Sequence, residues 1–212
     1  FKPGEAGNST VTKPGQLRAE SEETTHLSVI DAAGNAVAVT TTLNNSYGSR
    51  TVVGGAGFIL NDEMDDFSIK PGVPNLYGAI GGEANAIAPG KRMLSAMTPT
   101  VVLQNGKPFL VVGTPGGTTI PTSVFQTLVN ILDFGLSTEE AVNKPKFHHQ
   151  WLPDNVSVER GFPKEVREAL EKMGYKIVER SSIGRVEAIK VLPDGSFEAV
   201  ADVRGDDSAA GL

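Results

Sequence analysis

Two stretches rich in β-branched residues, 24–30 and 36–43, flank Asp31-Ala-Ala-Gly-Asn35, a five-residue loop with the Gly that a hairpin turn needs. A loop centred on Ala33 sets the pairing: Ile30 faces Ala36, His26 faces Thr40 and Thr24 faces Thr42. Side chains alternate along a strand, so a slip of one residue would turn all of them to the opposite face. This hairpin is the tightest local constraint on the fold, and it brings two threonines together at its open end.

The segment ahead of it has another character. Residues 1–23 are polar, contain Pro3, Gly4, Pro14 and Gly15, and end in the charged run Arg18-Ala-Glu-Ser-Glu-Glu23. They read as a tail, and 24–212 as the folded unit. Phe1-Lys-Pro-Gly4 is neither an initiator Met nor a signal peptide, so the chain reads as a piece of something longer.

A second hairpin is expected from 100–103 and 109–113 around Asn105-Gly106. Ile120, Val124, Leu128, Ile131 and Leu132 recur at helical spacing up to Gly135. Ser137-Thr-Glu-Glu140 is a capping-box start for a short helix, and Pro163 begins another that runs through Met173 and stops at Gly174. Residues 175–179, 186–192 and 197–201 read as strands. Between the hairpins, 67–99 is a long stretch punctuated by Gly and Pro, of the kind that is usually functional. Mixed helices and antiparallel hairpins point to an α+β layered sandwich.

Composition narrows the function. Of 212 residues 39% are apolar, ample for a core, and the net charge of −6 comes without a basic stripe, which argues against nucleic acid as a partner. With no Cys there is no disulfide, redox dithiol or thiolate metal site. No apolar run is long enough to span a membrane as a helix.

Several groups could carry chemistry. A threonine-rich strand needs no explanation beyond β packing. Yet cleavage of the Glu23–Thr24 bond would give Thr24 a free α-amine, with an ordinary pKa of about 7.7–8.0. One residue would then be both nucleophile and base, with Thr42 placed to hydrogen-bond its hydroxyl. Pro115-Gly-Gly117, between a strand and a helix, could be an ordinary turn or an oxyanion hole of backbone N–H groups. Asn44, Glu63 and Asp66 could grip a cationic amine. The acidic run does not match a calcium loop, Gly54-Gly-Ala-Gly57 is no dinucleotide fingerprint, and His148-His149 reads as packed structure rather than a metal site.

Taken together these residues resemble the γ-glutamyltranspeptidase family of N-terminal-nucleophile hydrolases. The resemblance is carried by Glu22-Glu-Thr-Thr-His-Leu-Ser-Val29, Gly34-Asn-Ala-Val-Ala-Val39, Thr42-Leu-Asn44 and Met64-Asp-Asp-Phe-Ser68. Lys70-Pro-Gly-Val-Pro-Asn75, Pro115-Gly-Gly117, Phe147-His-His-Gln-Trp-Leu-Pro153 and Gly205-Asp-Asp-Ser-Ala-Ala-Gly211 extend it to the end of the chain.

The resemblance implies a four-layer αββα sandwich and a precursor that cuts itself before a threonine. Residues 1–23 would be the end of the large subunit and 24–212 the small, catalytic subunit of a heterodimer. It implies Thr24 as nucleophile with Thr42 beside it, and Gly116 and Gly117 as oxyanion donors. Asn44, Glu63 and Asp66 would hold the α-amino group of the substrate. Ser95, with an arginine of the large subunit, would hold the α-carboxylate. Residues 71–82 would form a lid with Tyr77 as its latch. The substrates implied are glutathione and other γ-glutamyl compounds, with water, amino acids or dipeptides as acceptors and no cofactor or metal. A bacterial periplasmic or secreted location is implied as well. The family's second serine is Ala96 here, its usual Pro is Met93, and its common Asp-Pro-Arg is Asp202-Val-Arg204. Rival readings are a glutaryl or cephalosporin acylase, a polyglutamate-cleaving relative, and a non-catalytic paralogue.

Overall fold

A computed structural model describes residues 24–211. The tail assigned to residues 1–23 lies outside the described residues.

The first hairpin is formed by β1 (Thr25–Ile30) and β2 (Ala36–Thr41), paired Ile30 to Ala36 and His26 to Thr40 in the register expected from the loop. Asp31 holds the turn: its carboxylate accepts the Ala33 and Asn35 N–H groups at 2.9 and 2.8 Å. The ladder ends at Thr25 and Thr41, so Thr24 and Thr42 stand just beyond it. The second strand is shorter than the expected 36–43 because Asn44 turns the chain with a left-handed φ of 74°.

The second hairpin, β3 (Thr100–Gln104) and β4 (Lys107–Gly113), turns on Asn105 and Gly106, both left-handed as a type I′ turn requires. After Gly113 the chain enters α1 (Ile120–Leu132) and α2 (Thr138–Asn143), whose expected capping box between Ser137 and Glu140 is formed. Then follow β5 (Phe147–His148), β6 (Val156–Glu159), α3 (Lys164–Lys172), β7 (Ile177–Arg180), β8 (Glu187–Val191) and β9 (Phe197–Val200).

The main sheet has the order β3-β4-β8-β9, antiparallel throughout. The β1–β2 hairpin packs on one face of it and α1 and α2 on the other. Leu110, Val112, Val124, Ile131, Val142 and Val186 fill the space between sheet and helices. Hairpin, sheet and helices are three of the layers of an α+β αββα sandwich. Among the described residues no helix packs on the outer face of the hairpin, where Leu27, Val29, Val37 and Val39 are exposed. Leu27 pairs with Val39 and Val29 with Val37, so these side chains form one apolar face.

The third sheet departs from the expected all-antiparallel hairpins. It has the order β5-β6-β7, with β6 and β7 parallel and joined through α3. β5 and β6 are too short and too close to Pro153 to announce themselves in sequence. β7 starts at Ile177 rather than 175 because the Tyr175 N–H bonds back to Leu170 and closes α3.

One buried ionic group ties these parts together. Arg204 grips Glu159 with two N–H···O bonds of 2.7 Å and Asp202 with another of 2.9 Å. Glu159 also accepts the N–H groups of Lys146 and Ile183, both at 2.7 Å. With every partner satisfied, the group fixes the segment around Ile183 directly behind the turn that follows β4.

Candidate active site

The open end of the β1–β2 hairpin forms one wall of a cleft of about 360 Å³. Thr24, Thr42, Asn44, Asp65, Asp66, Ser68, Tyr77, Ser95 and Gly117 all line it. Seven of these were expected in the site from sequence.

Thr24 is buried, and its hydroxyl donates to that of Thr42 at 3.1 Å. The Thr42 oxygen also accepts the Asn44 N–H at 2.9 Å, which holds Thr42 in place. Asn44 has a left-handed backbone, and its side-chain Nδ2 donates to the Asp62 carbonyl at 3.3 Å. Its own carbonyl accepts the phenol O–H of Tyr77. Tyr77 of the 71–82 loop is thus seated on the residue next but one to Thr42.

Asp66 ends a single 3-10 turn, residues Glu63–Asp66. Burial, and then the charges of Glu63, Asp65 and Asp62, push its carboxyl up to about 6. A group so placed gains most from a bound cation. Glu63 is not among the lining residues; burial and Asp62 raise its pKa, and it acts on the cleft through Asp66.

Three residues that sequence reasoning passed over hold the walls together. The Asp65 carboxylate accepts the Leu76 N–H at 2.9 Å and so anchors the loop. The Asn75 side-chain oxygen accepts the Tyr77 and Ala79 N–H groups at 3.0 and 2.9 Å and shapes the loop's tip. Asn85 donates to the Asp66 carbonyl at 2.7 Å and accepts the Leu94 N–H at 3.0 Å. Asp65 and Asn75 lie in strings singled out in the sequence, though without a role of their own; Asn85 carried no signal beyond its residue type.

Ser95 is exposed, with Oγ accepting the Met97 N–H at 3.2 Å. Ala96 beside it lines the cleft without a hydroxyl. Gly116 and Gly117 are both left-handed, with φ of 140° and 56°, and lead into α1. Gly117 lines the cleft and Gly116 sits one residue behind it. His148, away from the cleft wall, shares its ring nitrogens between Thr122 and Gln150 at 2.8 Å each.

A buried hydroxyl, glycine N–H groups and a desolvated carboxylate around one cleft suit acyl transfer from a substrate bearing an amine. Residues 4–212 match the family model for gamma-glutamyltranspeptidase. The chain belongs to the gamma-glutamyltranspeptidase family. It is 51% identical to the glutathione hydrolase proenzyme of Escherichia coli over 96% of this chain and 35% of that protein. It spans about a third of the length of that protein and of the glutathione hydrolase proenzymes of two Pseudomonas strains that it also matches. Among solved structures, a gamma-glutamyltranspeptidase of Helicobacter pylori superposes with a TM-score of 0.82 at 55% identity, covering 85% of this chain and all of that one. That of Pseudomonas nitroreducens gives 0.83 at 47% identity, over 89% of this chain and 99% of that one. As a member of this family the chain has the N-terminal-nucleophile hydrolase fold, with its cleft at the open end of the first hairpin.

Proposed function

We propose that this chain is the catalytic half of an enzyme that cleaves γ-glutamyl amides, glutathione among them, and passes the γ-glutamyl group to water, an amino acid or a dipeptide. The observation that carries this reading is the 3.1 Å bond between the Thr24 and Thr42 hydroxyls at the edge of a cleft that Asp66 and Gly117 also line.

The chemistry follows from these groups. Cleavage of the Glu23–Thr24 bond frees the Thr24 α-amine. That amine accepts the Thr24 hydroxyl proton as Oγ attacks the γ-carbonyl. The oxygen that gains charge is held by the Gly116 and Gly117 N–H groups. The tetrahedral adduct collapses, the C–N bond breaks, and the leaving amine takes the proton. Water or an acceptor amine then attacks the threonyl ester with the α-amine again as base, and Thr24 is restored. Asp66 pairs with the α-ammonium of the glutamyl group, supported by Asn44 and the potential of Glu63. Ser95 and an arginine of the large subunit hold the α-carboxylate, and Tyr77 closes the cleft.

A large-subunit partner is supported by the longer proenzymes this chain matches and by the exposed apolar face of β1 and β2. The test is turnover by the full-length protein on a γ-glutamyl anilide beside a glutaryl anilide. Fast release from the first alone is expected. Equal rates would favour an acylase, which has no use for Asp66, and silence on both a non-catalytic relative.

A further inference from the structure

The two glycine N–H groups invoked above are useful only if they point into the cleft, and glycine does not hold a direction by itself. In a trans peptide unit the C=O and the N–H that follows it point in opposite directions. The Gly116 N–H is therefore aimed by whatever holds the Pro115 carbonyl, and the Gly117 N–H by whatever holds the Gly116 carbonyl.

Both carbonyls are held by buried threonine hydroxyls. Thr114 Oγ1 donates to the Pro115 carbonyl at 2.6 Å. Thr119 Oγ1 donates to the Gly116 carbonyl at 2.7 Å, and the Thr119 N–H joins it at 3.0 Å. Thr114 and Thr119 are fully buried or nearly so. Among the described residues, neither the Gly116 nor the Gly117 N–H is spent on another backbone carbonyl.

The threonines are in turn held from behind. Thr114 Oγ1 accepts the Arg185 N–H at 2.7 Å. A Cβ on Gly184 would lie 2.9 Å from Thr114 Oγ1 and 2.8 Å from Ser123 Oγ, and one on Gly116 would lie 3.3 Å from the Gly184 Cα. The segment around Gly184 is a backing plate in contact with the turn. Through Ile183 it is tied to Glu159, and so to Arg204.

We infer that Thr114 and Thr119 are positioning residues, which aim the Gly116 and Gly117 N–H groups at the developing oxyanion by pinning the opposite carbonyls. This rests on the acyl-transfer reading of the site and adds the device that makes its glycines directional. Neither threonine touches substrate. Each acts only in the transition state, when the carbonyl oxygen moves toward the N–H groups.

The test uses Thr114→Val and Thr119→Val, which keep shape and lose the hydroxyl, beside Thr114→Ser and Thr119→Ser, in the full-length protein. With a γ-glutamyl anilide, kcat is expected to fall about 10- to 100-fold in the Val variants, less than the loss of a whole oxyanion donor, with KM within about twofold. Affinity for a boronic acid that forms a tetrahedral adduct with Thr24 should fall by the same factor as kcat, and the Ser variants should recover. A Val variant with unchanged kcat, or a loss shared equally by KM and not rescued by Ser, would overturn the inference. Wild-type protein inactive on the anilide would overturn the functional reading alone. Crystal structures of the Val variants then decide this one: the Pro115 or Gly116 carbonyl is expected to swing from its wild-type direction, and an unmoved carbonyl refutes it.

Discussion

The ring of His26 lies against the backbone of Gly113: a Cβ on that glycine would come within 2.1 Å of the imidazole Cε1. His26 is two residues after Thr24, and Gly113 ends the strand that leads into the Thr114–Gly117 turn. The two sides of the cleft are docked on each other through this contact. Burial holds the His26 pKa down at about 4, so the ring is neutral, and it shares its nitrogens between Thr40 at 2.8 Å and Ser28 at 3.0 Å.

Gly113→Ala should therefore separate β1, and Thr24 ahead of it, from the turn. We expect self-cleavage and turnover to fall at least about tenfold with the circular dichroism spectrum retained, since overpacking of this kind costs about 1–3 kcal/mol. Wild-type processing in Gly113→Ala would show that the contact is slack.

Thr24→Ala should abolish both self-cleavage and anilide turnover, because one hydroxyl serves both, whereas Thr24→Ser should retain part of each. Gel analysis of subunit formation beside the anilide assay checks this. Normal processing of the Ala variant would move the nucleophile elsewhere, with Thr25 the first suspect.

Asp66→Asn should raise KM for γ-glutamyl substrates about 10- to 150-fold, the worth of a charge-assisted bond of about 1.5–3 kcal/mol, and spare glutaryl substrates. In the wild-type enzyme kcat/KM should fall on the acid side with an apparent pKa near 6, where Asp66 takes up its proton. An acid limb that persists unchanged in Asp66→Asn would assign it to another group.

The same two residues make opposite contributions to stability. Asp66 has a folded pKa of about 6, above its unfolded value of 3.8, so its contribution grows as pH falls through that window. His26 has a folded pKa of about 4, below its unfolded 6.5, so its contribution is present above pH 6.5 and is lost as pH falls toward 4. Thermal melts from pH 4 to 7 should show a steeper acid loss in Asp66→Asn and a shallower one in His26→Asn. Parallel curves for all three proteins would contradict both assignments.

Tyr77→Phe removes the phenol bond to the Asn44 carbonyl and leaves the loop's shape to Asn75 and Asp65. Loss of a neutral hydrogen bond of about 0.5–1.5 kcal/mol predicts a KM about 2- to 12-fold higher with kcat little changed. A kcat loss larger than the KM change would place Tyr77 in the chemistry instead.

The first hairpin was legible because a five-residue loop, alternating strands and one Gly leave a single register, and Thr24 met Thr42 as that register required. The capping box at Ser137 and the left-handed pair Asn105-Gly106 were legible for the same reason: their chemistry is local. What sequence hid is long-range. The parallel pairing of β6 with β7 depends on a crossover through α3, and the Arg204–Glu159 pair joins residues far apart in the chain.

Within the site, Thr24, Thr42, Asn44, Asp66, Tyr77, Ser95 and Gly117 were readable from the residues and the resemblance, and the hydrogen bonds that support them were not. Asp65 looked like one more member of the acidic run, yet its carboxylate anchors the 71–82 loop. Glu63 looked equivalent to Asp66, but the 3-10 turn sets it outside the lining. Thr114 and Thr119 drew no notice in the sequence, because nothing local reveals which carbonyl a hydroxyl will find.

Asn85 joins the backbone of Asp66 to that of Leu94, next to Ser95, through the two ends of one amide. On the proposed reading, the station for the ammonium and the station for the carboxylate therefore move as one body, and together they fix the α-carbon of the substrate. Thr24 is fixed separately, by the hairpin. What remains free is the span between them, and the chain then acts as a gauge of side-chain length. A glutamyl group fills that span with two methylenes; an aspartyl group, similar in every charge and hydrogen bond, would leave its carbonyl short of the nucleophile. Selectivity between the two would thus reside in a distance rather than in any contact, and a single amide with no substrate of its own would keep that distance.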